Sequence, residues 1–149
     1  MAKERGFTLI EIMVVFAILA LVMSIAPSAY DRMKSSMEYR DVVRGVVTEM
    51  RAARQQAVLT GVETSFAVDL EQKQYGIEGG KGREIPDSVE LRAIVANNEA
   101  KGSRFAIRFL PSGGASGGSV DVLRMASGGG VRVRADWFSG RVEQEPVQR

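Results

Sequence analysis

Few side chains in this sequence could carry chemistry. It contains no His and no Cys, which removes the commonest general base, the thiolate nucleophile and the usual ligands of structural zinc. Acid–base work would fall to carboxylates, and two close pairs stand out, Asp69 with Glu71 and Asp87 with Glu90. Each pair lies in a charged turn with nothing converging on it, so these are read as solvated or structural acids and no catalytic residue is assigned. A calcium site needs several oxygen ligands around one loop, and no stretch supplies them, so neither a metal nor a cofactor is expected. The loop residues Ser112, Gly113, Gly114, Ser116, Gly117 and Gly118 offer backbone N–H groups of the kind that cradle anions. They lack a following Lys and lead into a strand rather than a helix N-terminus, so a surface loop available for partner contacts is the expected role. The remaining acid is Glu11, alone in an apolar run.

That run, Phe7 to Ala26, holds 20 positions with a single charge. As a helix it would extend about 30 Å, the thickness of a bilayer's hydrocarbon core. Lys3 and Arg5 precede it directly, and positive charge retained on the cytoplasmic side orients such a segment with its N-terminus inside and everything after Pro27 outside. A cleaved secretory signal would have an apolar run of about 7 to 15 residues, shorter than this one. A plain signal anchor does not account for Glu11, because an ionised carboxylate in hydrocarbon costs several kcal/mol unless a partner meets it. The rest of the chain is polar. With 149 residues, 45% hydrophobic and 26% charged, it has one domain's worth of material, and a net charge of +2 is too small to argue for nucleic acid by itself.

The segment Arg5-Gly6-Phe7-Thr8-Leu9-Ile10-Glu11 resembles the processing signature of type IV pilins and pseudopilins. The resemblance implies that a prepilin peptidase in the inner membrane cuts after Gly6, removing a leader of residues 1–6, and N-methylates the new first residue, Phe7. It implies also that Glu11 neutralises the N-terminal amine of a neighbouring subunit during assembly. A signal anchor whose Glu11 faces a partner helix is the alternative. The physical sense of the pairing stands beside the resemblance: a buried acid and a buried ammonium lower each other's desolvation cost only when brought together. Without Lys3, Glu4 and Arg5 the mature chain would carry 18 basic and 17 acidic residues.

The elements that hold these residues follow from pattern. Residues 7–27 form the membrane or filament-core part of a long helix, and Pro27 marks a kink or a break where one backbone hydrogen bond is lost. From 28 to 60, Met33, Met37, Val43, Val46, Val47, Met50, Ala53, Ala57 and Val58 recur at spacings of three and four and predict one buried helical stripe, with the Met side chains as core filler. Gly61 predicts a left-handed C-terminal cap. Beyond it, short β signals cover 63–70, 73–77, 88–96, 104–110, 119–125 and 131–138, separated by glycine-rich breakers. The expected fold is α+β: a long N-terminal helix packed on a C-terminal antiparallel β-sheet or sandwich spanning 61–149.

In that second half, the run Phe109-Leu110-Pro111-Ser112-Gly113-Gly114 through Ser119-Val120, then a strand, a turn and Gly140-Arg141-Val142, resembles the GspH/FimT group of minor pseudopilins, with Ser112 where the group has Asp or Asn. The resemblance implies a non-enzymatic subunit of the periplasmic pseudopilus of a type II secretion system, with other pseudopilins and the inner membrane as partners and a secreted substrate or the secretin as further candidates. A minor type IV pilin and a FimT-like competence pseudopilin remain alternatives. DNA binding would need clustered cations, and Arg132, Arg134, Arg141 and Arg149 are interleaved with Asp136, Glu143 and Glu145, so nucleic acid is not an expected partner. Trp137 and Phe138 are expected as core anchors.

Overall fold

The structure, a computed structural model, describes residues 7–94 and 100–147, with the side chains at 25–29, 100 and 101 outside that description. Its residues group into two compact units, 1–36 and 37–149. Helix α1 (Leu9–Thr60) supplies residues to both.

In the first unit the helical backbone runs through position 27 without interruption, so the proline does not end the helix. The apolar side chains from Leu9 to Met23 are all exposed, Leu19 least at 46% and Leu9 most at 79%. Among the described residues no helix is long and apolar enough to cross a membrane. The side chains described without a gap, Leu9 to Ser24, cover about 24 Å of helix axis, and Ile25 and Ala26, which would complete the expected span, lie outside the description.

In the second unit α1 buries Tyr39, Val42, Val46, Met50, Ala53 and Ala57, a row at spacings of three and four. This row differs from the expected stripe at its ends. Met37 falls off it and is 60% exposed, and Met33, in the first unit, is 59% exposed. Val58 is exposed as well, and of the helix methionines only Met50 fills the core. Tyr39 and Val42, absent from the expected stripe, carry its first turn. The helix stops as expected: Gly61 has φ +70 and donates its N–H to the Ala57 carbonyl at 3.0 Å.

Two antiparallel sheets complete the unit. One has the order β3-β2-β1-β6-β5, from β1 (Thr64–Asp69), β2 (Gln74–Ile77), β3 (Arg83–Glu84), β5 (Ala100–Lys101) and β6 (Arg104–Phe109). The other has the order β4-β7-β8-β9, from β4 (Val89–Ile94), β7 (Gly118–Arg124), β8 (Gly130–Ala135) and β9 (Val142–Pro146). Registers such as Phe66↔Ile107 and Val120↔Val133 align the apolar partners on one face. Those faces and the helical row form one core, with Phe66, Phe109, Met50, Val122 and Val133 fully buried. The edge strands β3, β5 and β9 were not among the sequence signals. Each is two to five residues long and mostly polar, and a short polar edge gives no alternation to read.

Gly45 shows how closely α1 meets the first sheet. An added Cβ there would overlap the hydroxyl of Tyr75, whose side chain is only 3% exposed. Helix propensity alone favours Gly45→Ala by about 1 kcal/mol, but overpacking costs about 1–3 kcal/mol, and the overlap is with a ring fixed in the core. Gly45→Ala is therefore expected to destabilise the unit. Denaturant unfolding of the full chain in detergent measures this, and the double variant G45A/Y75F, which lacks the colliding oxygen, should recover much of the loss.

Candidate functional site

Two arrangements deserve a functional reading, one in each unit. At the start of α1, Thr8 and Glu11 form a reciprocal cap: the Glu11 N–H donates to Thr8 Oγ1 at 3.3 Å and the Thr8 N–H donates to the Glu11 carboxylate at 3.4 Å. A Thr followed three residues later by Glu is the capping-box spacing, a signal present in Thr8-Leu9-Ile10-Glu11 that the sequence reading did not use. The carboxylate also faces the positive end of the helix dipole. Both bonds are long, near the outer limit of useful geometry, so Glu11 is held but weakly satisfied. Around it Phe7, Leu9, Ile10 and Ile12 are exposed. Gly6, the expected cleavage position, and the side chain of Pro27 lie outside the described residues.

In the second unit the expected contact loop is placed differently from a free surface loop. Only Pro111 and Ser112 are exposed; Gly113, Gly114 and Ala115 are buried, and Ser116, Gly117 and Gly118 are half-buried. The segment carries the chain from β6 in one sheet to β7 in the other, tied down by bonds from the Ala115 N–H to the Trp137 carbonyl and from the Ser116 N–H to the Arg108 carbonyl. Gly114 packs tightly here: an added Cβ would lie 3.0 and 3.1 Å from the Trp137 and Phe138 carbonyl oxygens, so those backbones would have to shift by a few tenths of an ångström to admit it.

What this loop supports is the turn after β8. Asp136 accepts from the N–H groups of Phe138 and Ser139 and from the Ser139 hydroxyl, while the Gly140 N–H donates to the Asp136 carbonyl. Arg54, from α1, joins the two loops: its Nε donates to the carbonyls of Gly113 and Ser139, both at 3.1 Å. The result is a rigid turn that displays Trp137 and Phe138, 69% and 78% exposed, with their rings in edge contact at 5.7 Å. These aromatics are not core anchors. The strand ends at Ala135, and the cap built by Asp136 turns the next two residues outward together instead of on alternate faces.

The remaining candidates have structural employment. Asp69 accepts from the Gln72 N–H in the β1–β2 turn, Asp87 pairs with Lys73 and Glu90 with Arg92. Among the described residues no three metal-ligating side chains gather. On the outer face of the second sheet, Arg132 meets the buried Asp121 through two bonds at 2.6 and 2.8 Å, and Glu145 and Glu143 stand opposite Arg132 and Arg134. Alternating charge of this kind repels a polyanion as often as it attracts one. Arg149 lies outside the described residues.

Comparison with known proteins matches both halves. The prokaryotic N-terminal methylation motif matches residues 1–27, and the family model described as type II transport protein GspH matches residues 42–139. The chain is 28% identical over 145 residues to type II secretion system protein H of Xanthomonas campestris pv. campestris, covering 97% of this chain and 85% of that protein. Its fold is similar to that of the minor pseudopilin EpsH from the type 2 secretion system of Vibrio cholerae, with a TM-score of 0.55 at 11% identity, covering 73% of this chain and 97% of that one.

The aromatic turn has its own pH signature. Hydrogen bonds from the Ser139 backbone and hydroxyl hold the Asp136 carboxyl below its ordinary value of 3.8. A lowered folded value means that this contribution is fully present above the unfolded pKa of about 3.9 and is lost as pH falls through the folded value. Trp137, the single Trp of the chain, should report it by a fluorescence change on acidification below about pH 3.9. Asp136→Asn, which keeps an acceptor oxygen but does not titrate, is expected to flatten that step.

Proposed function

The chain belongs to the GspH family of type II transport proteins, and from that premise we propose that it is a minor pseudopilin of a type II secretion system, assembled through α1 into the periplasmic pseudopilus that drives folded proteins across the outer membrane. It acts as a structural polymer subunit, anchored in the inner membrane before assembly. The family match over residues 42–139 supports the machine, and the observation that carries assembly through α1 is Glu11, a weakly capped carboxylate ringed by exposed apolar side chains. Water is a poor medium for those side chains and lipid a poor one for the carboxylate. A bundle of like helices that also supplies a cation suits both.

That cation is the amine of Phe7 on a neighbouring subunit, created when a prepilin peptidase cuts after Gly6 and then methylates the new N-terminus. In the unassembled chain Glu11 rests on its own Thr8 N–H; in the filament the ammonium is the stronger partner, because a charge-assisted bond in a low dielectric exceeds a long bond to a neutral amide. The segment from Phe7 to Ala26 is the anchor, single-pass, with the N-terminus cytoplasmic and the β domain periplasmic. The exposed corner made by Pro111, Ser112, Trp137 and Phe138 supplies lateral contacts to other pseudopilins.

Glu11→Ala leaves the neighbour's ammonium without its partner, a loss typically of several kcal/mol for a buried pair. It is expected to leave cleavage after Gly6 intact, seen as a normal mobility shift, and to reduce the amount recovered with isolated pseudopili by about tenfold or more. Undiminished incorporation would overturn the charge-matching account.

A further inference from the structure

Beside the aromatic turn the second unit has a cleft of about 640 Å³, walled on α1 by Arg51, Arg54, Val58 and Leu59 and opposite them by Arg141 and Val142. Among the described residues no acidic one lines it. Elsewhere on this unit five arginines are matched at close range, Arg83 with Glu49, Arg92 with Glu90, Arg104 with Glu78, Arg108 with Glu63 and Arg132 with Asp121, all at 3.4 Å or less; Arg40, Arg44, Lys81 and Arg134 have no such pair among the described residues, but none of them lines this cleft. In the cleft, Arg54 uses its Nε on the two loop carbonyls, and among the described residues neither Arg51 nor Arg141 pairs with a carboxylate. In the same lining Leu59 is 75% exposed and Val58 47%. A cluster of cations left unmatched on a nearly neutral domain, set against uncovered apolar side chains, is one half of a complementary surface.

We propose that this cleft is a docking site for a neighbouring pseudopilin, which inserts an Asp or Glu side chain between Arg51 and Arg141 and lays an adjoining apolar side chain over Val58 and Leu59. The inference rests on the assembly reading above and names the chemistry of one contact within it. Guanidinium forks bind a carboxylate in two parallel hydrogen bonds. The exposed apolar wall explains why a protein segment fits better than a free anion, which would leave Leu59 in water. Nucleic acid fits less well, because the neighbouring strand β9 brings Glu143 and Glu145 where further phosphates would run. Trp137 and Phe138 immediately precede Ser139, which lines the cleft, and both are exposed, as aromatic anchors of protein interfaces are before binding.

The test uses the full chain in cells with the intact machine, with Leu59 replaced by a photo-reactive phenylalanine analogue and, as a separate control, the same analogue at Phe16 in the apolar part of α1. Irradiation is expected to join position 59 to a different pseudopilin, through a peptide that has an Asp or Glu within a few residues of the linked atom. The double reversal R51E/R141E, at two exposed positions, should lower that adduct about tenfold or more, while adducts from position 16 persist. Changing the partner's acid to Arg should restore it. No adduct at 59 with position 16 intact, an adduct indifferent to the reversal, or one to lipid, nucleic acid or a second copy of this chain would overturn the docking proposal and leave assembly standing. Loss of adducts at both positions in the unreversed chain would count against the assembly reading, and this proposal would fall with it.

Discussion

An ionised carboxylate on an otherwise apolar helix has no comfortable monomeric environment, and much of this molecule follows from that constraint. Glu11 can be carried by the capping box with Thr8 at the beginning of α1, where the helix dipole helps. Bonds of that length do not offset the cost of withdrawing the charge from water. A second molecule with a positive terminus removes the conflict. It would also cover the side chains from Leu9 to Met23, which are exposed among the described residues. On the proposed reading, that one position converts an apolar anchor segment into a polymerisation element.

The β-rich unit solves a different problem, which is how to keep two small sheets and one helix in a single arrangement. Its core is apolar and closed, with Met50, Phe66, Phe109 and Val122 fully buried, but the ends of the sheets are held by polar devices. Arg54 ties the crossover loop to the turn after β8, and Asp136 organises that turn from within. The bidentate pair of Asp121 and Arg132 satisfies a buried charge on the outer face of the second sheet. If the corner meets a partner as proposed, its hydrogen-bonded order lowers the entropy lost when the aromatic side chains bind.

The architecture was legible in the sequence wherever a period or a special backbone position left a mark. The helix end at Gly61, the central strands and the apolar run all appear where pattern places them, and Glu11 is conspicuous because a charge interrupts an apolar stretch. Other features left weaker marks or misleading ones. Met33 and Met37 match a helical stripe by type, yet both are exposed and the buried row of the second unit begins with Tyr39 and Val42, a difference of phase that residue type alone does not reveal. Trp137 and Phe138 look like core because large aromatics are costly on a surface; only the hydrogen bonds of Asp136 show why both face outward. The glycine loop reads as a surface loop from composition, whereas Gly113 is buried with φ +92 and Gly114 lies close against the Trp137 and Phe138 carbonyls. The clustering of Arg51, Arg54 and Arg141 joins residues far apart in the chain, and no local signal announces it.

The assignment to secretion, as opposed to a pilus or a DNA-uptake machine that shares the same N-terminal chemistry, is tested most directly by the fate of folded exoproteins after a clean, complemented deletion of the gene. The account predicts that they accumulate in the periplasm while surface pili and DNA uptake remain normal. Secretion at wild-type levels, with a defect in pili or transformation instead, would contradict it.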